Sequence, residues 1–333
     1  MAVRVLMAAL LCAATCAAAP KAAPKRRAAP APAAPVQTQY RRSPYVGAVV
    51  VDAESGRVMF ADSADAPAYP ASVTKLMTLL LVLEDVRAGR YAFDDKVTAT
   101  TDVYRCEPSW VGIKAGETMS VRDLCYALMV ESANDAAIAL GVHSAGTFDG
   151  FVARMNSRAA ELGMSGTKYY NPNGLPPNGA KRYPWKSFNV TTASDQAKLA
   201  CRMLKMPEVL EFTSVKTCDL VKTADGFRVS VTRRVNAPEA KTELAAGEKL
   251  VTAMRNHNNV MVKDKLKIRN PDGKEAVDGL KTGYIDAGGS SVVLTGVRGG
   301  RRAVVVVLGS SSAAERDAAA ALRLEDALDS LSL

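Results

Sequence analysis

Apolar positions along the chain change period several times, and each change predicts an element. Tyr45–Asp52 and Arg57–Ala61 alternate and are β-rich, with Glu54-Ser55-Gly56 between them as a hairpin turn. Pro70-Ala71-Ser72 opens a predicted helix that runs to about Arg87. Its residues Leu76, Met77, Leu79, Leu80, Leu81, Val82 and Leu83 make it apolar nearly all round, which suits a helix buried in the middle of a domain. A second helix is predicted over Ser120–Val130, where Ser120 and Asp123 are spaced as a capping box. Helical patterns continue through Asp135–His143 and Phe148–Leu162, and Ser194 is placed to cap a helix over Asp195–Leu204. The pattern then returns to period two. Cys218–Val221 and Phe227–Val235 flank Ala224-Asp225-Gly226 as a hairpin. Val277–Gly283, Ser291–Val297 and Arg302–Leu308 are three more strands, the last two joined by Arg298-Gly299-Gly300-Arg301. Ala313–Leu333 reads as a closing helix. This order of hairpin, helices, strands and helix predicts an α/β protein of the α+β type. The first hairpin and the last strands would share one antiparallel sheet, covered by helices on both faces.

The two ends differ from this core. Residues 1–19 carry Arg4, an apolar run from Val5 to Leu11 that continues through Ala and Cys, and small residues at Ala17–Ala19. They read as a cleaved export signal, because the apolar run is shorter than the ~20 residues a bilayer requires. Ala13-Ala14-Thr15 makes a poor lipid-attachment context for Cys16. Residues 20–43 are rich in Ala, Pro, Lys and Arg and read as a disordered basic linker, a solvated spacer capable of weak association with anionic lipid or wall polymer. Residues 44–333 form one predicted catalytic domain. Its last helix carries Glu315, Asp317, Glu325, Asp326 and Asp329 against Arg316 and Arg323. That acidity suits packing on the fold and not a membrane surface. The expected location is therefore outside the cytoplasm, periplasmic or otherwise extracytoplasmic, with an N-terminal tether to the membrane left open.

Charge and composition narrow the chemistry. The 333 residues carry a net charge of +9, but residues 1–43 hold seven basic side chains and no acidic one. The remainder has 36 basic against 34 acidic residues, so a nucleic-acid partner is not expected. With 6% aromatics and two Trp, a stacking platform is not expected either. Only two histidines are present, His143 and His257, far apart and outside any HExxH pattern, which disfavours a His-ligated zinc hydrolase. Both read as ordinary residues, His143 on a helix and His257 in a polar turn. Cys106, Cys125, Cys201 and Cys218 allow three pairings or remain free thiols, and no CxxC suggests redox or zinc chemistry.

A hydrolase without a working His must activate its nucleophile with another base, and a neutral Lys can serve. With 21 Ser and 19 Lys, chance supplies about one Ser-x-x-Lys. Two occur. Ser165-Gly166-Thr167-Lys168 runs into Asn171-Pro172-Asn173-Gly174, which is turn chemistry with no helix to fix the pair. Ser72-Val73-Thr74-Lys75 instead heads the buried helix, where hydroxyl and amine share a face and free N–H groups meet a developing oxyanion. Ser132-Ala133-Asn134 lies between two helices, and Lys281-Thr282-Gly283 ends a strand, with a Gly that lets a substrate backbone approach. Ser187-Phe188-Asn189 is a decoy for the Ser-x-Asn element. Taken singly, each of these residues suits a cap, a surface lysine or a strand-end charge. The ordered set Ser-x-x-Lys, Ser-x-Asn, Lys-Thr-Gly is the signature of penicillin-binding proteins and class A β-lactamases.

Over about residues 45–330 the sequence resembles the low-molecular-mass penicillin-binding proteins, the serine-type D-alanyl-D-alanine carboxypeptidases. The likeness extends to Pro70–Thr78, Glu131–Ala136, Asn171–Leu175 and Asp278–Tyr284. The resemblance implies a β-lactamase/D,D-peptidase-like fold with a helical subdomain and no cofactor or metal. Its substrate would be a peptidoglycan stem peptide ending in D-Ala-D-Ala, with β-lactams as covalent inhibitors. It implies Ser72 as nucleophile, Lys75 as base, kept neutral by burial and by Lys281, and Ser132 as the relay to the leaving amine. Asn134 would hold the substrate amide or Lys75. The N–H groups of Ser72 and Tyr284 would form the oxyanion hole, and Lys281, Thr282 and Arg316 would bind the terminal carboxylate beside Gly283. Arg316 rests only on its place after the last strand and equally suits a helix surface. Ala237–Asn270 is longer than the family pattern, and no C-terminal β domain or basic anchor helix follows.

Three other readings share these residues. A class A lactamase would need a Glu on the loop after Ser-x-Asn, and none lies between Glu161 and Glu208, so stable inhibition by penicillin is expected. A D,D-endopeptidase would cut crosslinks with the same groups. A catalytically dead wall-binding protein would have no need of Ser72 and Lys75.

Overall fold

The computed structural model describes residues 40–103, 108–177 and 187–332, all within one compact unit, Thr38–Leu333. The leader, the linker as far as residue 39, and Cys106 lie outside the described residues.

The chain enters as a hairpin of β1 (Gly47–Asp52) and β2 (Val58–Asp62). A 3₁₀ turn, Ala71–Thr74, then feeds helix α1 (Lys75–Arg87). A ribbon of β3 (Lys96–Thr98) and β4 (Thr118–Ser120) leads to α2 (Val121–Tyr126), which widens into a π-helical turn, Ala127–Glu131. Helices α3 (Asn134–Ala145), α4 (Phe148–Glu161), α5 (Ala193–Leu204) and α6 (Glu208–Thr213) follow. Next come β5 (Val215–Lys222), β6 (Phe227–Arg234), β7 (Lys249–Arg255) and the short α7 (Asn259–Val262). Strands β8 (Val277–Ile285), β9 (Gly289–Arg298) and β10 (Arg301–Ser310) and helix α8 (Ala313–Ser332) close the fold.

The first hairpin and the last three strands form the expected antiparallel sheet, in the order β2-β1-β10-β9-β8. Alternation along β10 explains why it reads as a continuous apolar run. Val304, Val306 and Leu308 join α1 and the helical block in one core, whereas Ala303, Val305 and Val307 join Ala320, Leu324 and Leu328 of α8 in another. Both faces of the sheet are covered, so neither face needs polar residues. The closing helix packs on the sheet as its composition predicts. Among the described residues no single helix is long and apolar enough to cross a membrane.

The structure adds the unpredicted β3, β4, α6 and α7 and differs from the sequence pattern elsewhere too. Ser72 lies in the 3₁₀ turn, and regular α-helix begins only at Lys75. The helix predicted through Val130 leaves α geometry after Tyr126. Thr192, not Ser194, caps α5: its side chain accepts from Asp195 N–H, while the Ser194 N–H bonds to Ala64 O. The predicted 218–235 hairpin pairs with β7 in a separate sheet, ordered β6-β5-β7. β7 is mostly exposed, so no buried alternation marked it. Cys125, Cys201 and Cys218 are free thiols.

Candidate active site

Pro70 and Ala71 set the turn that carries Ser72. Ala71 sits at φ +49°, a left-handed conformation that is sparsely populated for alanine and turns the chain sharply into the helix. The 3₁₀ geometry that follows has three residues per turn, so residues i and i+3 eclipse. Ser72 and Lys75 are therefore stacked, with Lys75 Nζ donating to Ser72 Oγ at 2.9 Å. The same nitrogen reaches Asn134 Oδ1 at 2.7 Å and the Asn173 carbonyl at 2.8 Å. Lys75 is entirely buried. Removal of an amine from water disfavours its charged form.

The second wall comes from the junction of the π turn with α3. Ser132 ends that turn at φ +63°. It is buried, and among the described residues its hydroxyl has no hydrogen-bond partner. Asn134, two residues on, is the first residue of α3, and its N–H is tied to Ser109 O at 2.8 Å. Asp135 fastens the same corner. Its buried carboxylate accepts the N–H groups of Val111, Gly112 and Ile113, and burial pushes its pKa up.

Strand β8, at the sheet edge, supplies the third wall. A Cβ on Gly283 would stand 2.5 Å from Pro70 O and 3.0 Å from Ser72 N, so this strand position touches the nucleophile turn and tolerates only glycine. Lys281 and Thr282 are buried. Burial, reinforced by Arg316 and opposed by Glu131, pushes Lys281 down to about 7. Its Nζ donates to Thr282 O at 3.1 Å. Tyr284 is exposed, and its hydroxyl donates to Asp286 Oδ1 at 2.7 Å. Arg316 is not on the helix surface. It is 4% exposed, donates from Nε and Nη2 to Asp317 Oδ1 at 2.8 and 2.5 Å, and stands near enough to Lys281 to depress its pKa.

The structure thus joins Ser72, Lys75 and Asn134 directly, and packs Gly283 of β8 against the same turn. Ser165 and Lys168 are exposed, and the Lys168 backbone pairs with Val190. Several contributors were given no site role by the sequence reading, although Asn171–Leu175 was part of the family likeness. The Asn171–Gly174 loop, read as turn chemistry, lies behind the nucleophile. Thr78 Oγ1 donates to Pro172 O at 2.7 Å, and Asn173 lends its carbonyl to Lys75. Asn189, the decoy, braces that loop: its Nδ2 donates to Thr74 Oγ1 and Asn171 O, both at 3.0 Å, while its Oδ1 accepts from Tyr170 N at 2.7 Å. The density of Asn, Pro and Gly signalled a specific turn and gave no sign of its neighbour. His257 also faces this region. Partial withdrawal from water, with Lys281, Lys75 and Arg316 nearby, pushes it down to about 4, so the imidazole is neutral. Among the described residues no group of three or more His, Cys, Asp or Glu is placed to hold a metal ion.

A buried lysine seated on a serine at the head of an interior helix, against the edge of an antiparallel sheet, is an arrangement in which an amine can activate a serine hydroxyl for acyl transfer. Residues 45–312 match the family described as D-alanyl-D-alanine carboxypeptidase, peptidase S11, and the chain belongs to that family. A curated relative is the D-alanyl-D-alanine carboxypeptidase DacF of Bacillus subtilis, 31% identical over 166 residues, which are 50% of this chain and 40% of that protein. The chain spans about half the length, or less, of the first curated relatives it matches. The crystal structure of the carboxypeptidase DacD from Francisella tularensis superposes with a TM-score of 0.71 at 27% identity, covering 88% of this chain and 72% of that one. Penicillin-binding protein D2 of Listeria monocytogenes, solved in an ampicillin-bound form, superposes with a TM-score of 0.62 at 29% identity, covering 85% and 98%.

Proposed function

We propose that this protein is a serine D-alanyl-D-alanine carboxypeptidase that removes the terminal D-Ala from peptidoglycan stem peptides. The observation that carries the reading is the 2.9 Å contact from Lys75 Nζ to Ser72 Oγ inside a buried turn. Ser72 Oγ attacks the carbonyl between the two D-Ala residues and passes its proton to neutral Lys75. The tetrahedral oxyanion is held by the N–H groups of Ser72 and Tyr284. Ser132, whose hydroxyl is uncommitted, relays the proton to the leaving amine as the C–N bond breaks. Water then hydrolyses the ester, with Lys75 again taking the proton, and Ser72 is restored. Lys281, Thr282 and Arg316 hold the terminal carboxylate. Asn134 fixes Lys75 and the substrate amide.

A penicillin would acylate Ser72 in the same way. Deacylation would be slow, because the loop behind the serine offers Lys75 the Asn173 carbonyl and brings no glutamate to activate water. Export by the N-terminal leader places the enzyme on the wall side of the membrane, where this substrate is found, and the basic linker is a tether to anionic wall or lipid. The test is intact mass after incubation with penicillin, together with D-Ala release from a pentapeptide. A lasting adduct and D-Ala release by the natural protein, both absent in Ser72→Ala, are expected. Rapid drug turnover would make it a lactamase, and labelling of Ser72→Ala would remove Ser72 from its role.

A further inference from the structure

A cavity of about 630 Å³ lies among β5, β6, β7 and α7, and none of the groups given a part in the reaction lines it. Sheet register builds its walls. Arg233 of β6 and Arg255 of β7 both pair with Thr217 of β5, so three neighbouring strands present Arg, Thr and Arg in one row. Cross-strand partners share a face of the sheet, and all three line the cavity. The two arginine positions stand two strands apart, about 10 Å. The β5–β6 register shifts between Val215 and Thr217, which leaves Lys216 as an extra residue on β5. A bulge of this kind re-aims the side chain it carries. Lys216 accordingly lines the same hollow as Thr217, where regular alternation would send the two to opposite faces. Lys263, at the end of α7, completes the rim.

Four cations thus line the hollow against one carboxylate, Glu131. The nearby acids are already engaged: Glu275 takes buried Lys216 and also Lys267, and Asp264 is held by Lys267. Arg233, Arg255 and Lys263 are exposed, and among the described residues they pair with no carboxylate. Converging unpaired cations of which two are guanidinium forks suit a phosphoryl group, with oxygens enough for all three. The remainder of the lining limits what carries that group. Thr217, Asn256, Asn259 and the neutral imidazole of His257 are polar and exchange hydrogen bonds with hydroxyls. No Phe, Tyr or Trp lines the cavity, so a nucleobase has nothing to stack on. Ala253 and Val262 are its only aliphatic side chains, too little apolar surface to hold an acyl chain.

We propose that this cavity is a second, non-catalytic site that binds the phosphate ester of a hydroxyl-rich molecule, a polyol or sugar phosphate, free or as one unit of a longer chain. Arg233 and Arg255 take the phosphoryl oxygens from two sides and Lys263 from a third, while Thr217, Asn259 and His257 meet the hydroxyls. No covalent step is involved. The site goes beyond the peptidase reading and stands or falls without it, because it uses neither Ser72 nor the groups around it.

The experiment is calorimetric titration of the full chain with glycerol 3-phosphate and with a short poly(glycerol phosphate), beside glycerol, inorganic phosphate and malonate. The variants are the Arg233→Ala/Arg255→Ala double, Arg255→Ala, Arg255→Lys and Lys281→Met, each checked by a thermal melt. Glycerol 3-phosphate is expected to bind with a Kd of about 1 mM or below, more tightly than inorganic phosphate or malonate. In the double variant binding weakens at least about tenfold, and Arg255→Lys keeps more of it than Arg255→Ala. Lys281→Met, which alters the catalytic pocket, leaves it within about threefold. Penicillin adduct formation by the double variant stays within about twofold of the natural protein. Tighter binding per phosphate by the polymer, lost with the same arginines, makes the polymer the source of the ester, and equal affinity makes it the free ester; both uphold the site. Absence of binding by both esters overturns it, as does an undiminished affinity in a folded double variant. Malonate bound as tightly as the ester overturns the phosphoryl assignment, and inorganic phosphate bound as tightly overturns the hydroxyl one. Loss in Lys281→Met with the double variant unaffected would place the anion in the catalytic pocket. Retention on phosphatidylglycerol vesicles without binding of the soluble esters would assign the cations to a membrane, and either result overturns the inference.

Discussion

Lys281 has given up nearly all its water and pairs with no carboxylate among the described residues, which is why its amine titrates near 7. The depressed pKa has consequences for both stability and activity. Below about 7 the folded protein holds a charged, buried amine that the unfolded chain would solvate. Between about 7 and the ordinary lysine value the unfolded state binds one more proton than the folded state, so this group makes stability rise with pH across that window. At pH 7 the penalty is roughly 4 kcal/mol. Lys281→Met should therefore raise unfolding free energy at pH 7 by up to roughly that amount and flatten the rise towards pH 10, as read by urea titration at several pH values. Penicillin acylation should slow on the order of a hundredfold, because the charge proposed to position the substrate carboxylate is lost. A more stable yet still active Lys281→Met would end the carboxylate-binding role. The same titration predicts an alkaline limb near pH 7 in kcat/KM for carboxylate-bearing substrates, since that ratio reports the free enzyme. In Lys281→Arg the limb should vanish, because a guanidinium stays charged.

At the scale of elements, the site is a turn clamped between a loop and a strand edge. Gly174 sits at φ +86°, and a Cβ there would overlap the Ala71 carbonyl. Gly174→Ala should push the loop back, take the Asn173 carbonyl away from Lys75 and slow acylation at least about tenfold. It should also lower stability by more than about 1 kcal/mol. A time course of adduct mass and a thermal melt check both, and an unchanged acylation rate would show that the loop is not needed. This clamp also explains what was legible in the sequence. Ser72 and Lys75 lie within one turn, Ser132 and Asn134 on one corner and Lys281 to Gly283 on one strand, so each motif is a local pattern. Asn173 acts through a carbonyl that every residue owns. Asn189 reaches Thr74 across 115 positions. Nothing local marks either. Of the central strands, β10 was legible as an almost continuous apolar run because it is buried on both faces, and the others through alternation and their flanking turns. β7 was not, because it is mostly exposed and shows no buried alternation. The switch to 3₁₀ geometry at Ser72 was hidden too, since it follows from the left-handed Ala71 and the packing of Gly174 and Gly283 on it.

At the scale of the whole molecule, the sheet separates two cores, and the turn of Ser72 with helix α1 belongs to the one on the helical side. That side is held together at its far end by Asp85 in α1. Its fully buried carboxylate accepts from Arg154 Nη2 of α4 at 2.6 Å, Arg90 Nε at 2.7 Å and Tyr91 OH at 3.1 Å, and also from the Ser144 hydroxyl of α3. Burial works against the charge, but the bonds from Arg154, Ser144 and Arg90 hold the carboxyl below the usual carboxylate range. Its share of the stability is therefore present above the ordinary carboxylate value and is lost as pH falls through the depressed one. Asp85→Asn keeps the shape and leaves Arg154 with no charged partner there, which should cost about 3 kcal/mol of unfolding free energy at pH 7. The difference between variant and natural protein should shrink in acid, where Asp85 itself becomes neutral. Ten residues of α1 separate Asp85 from Lys75, about 15 Å along the helix. The penicillin acylation rate should consequently stay within about twofold at temperatures where both proteins are folded. Urea unfolding at pH 7 and near pH 3, beside adduct formation at pH 7, measures the two effects separately. A large loss of acylation rate in a folded Asp85→Asn protein would mean that the clasp also sets the geometry of the Ser72 turn.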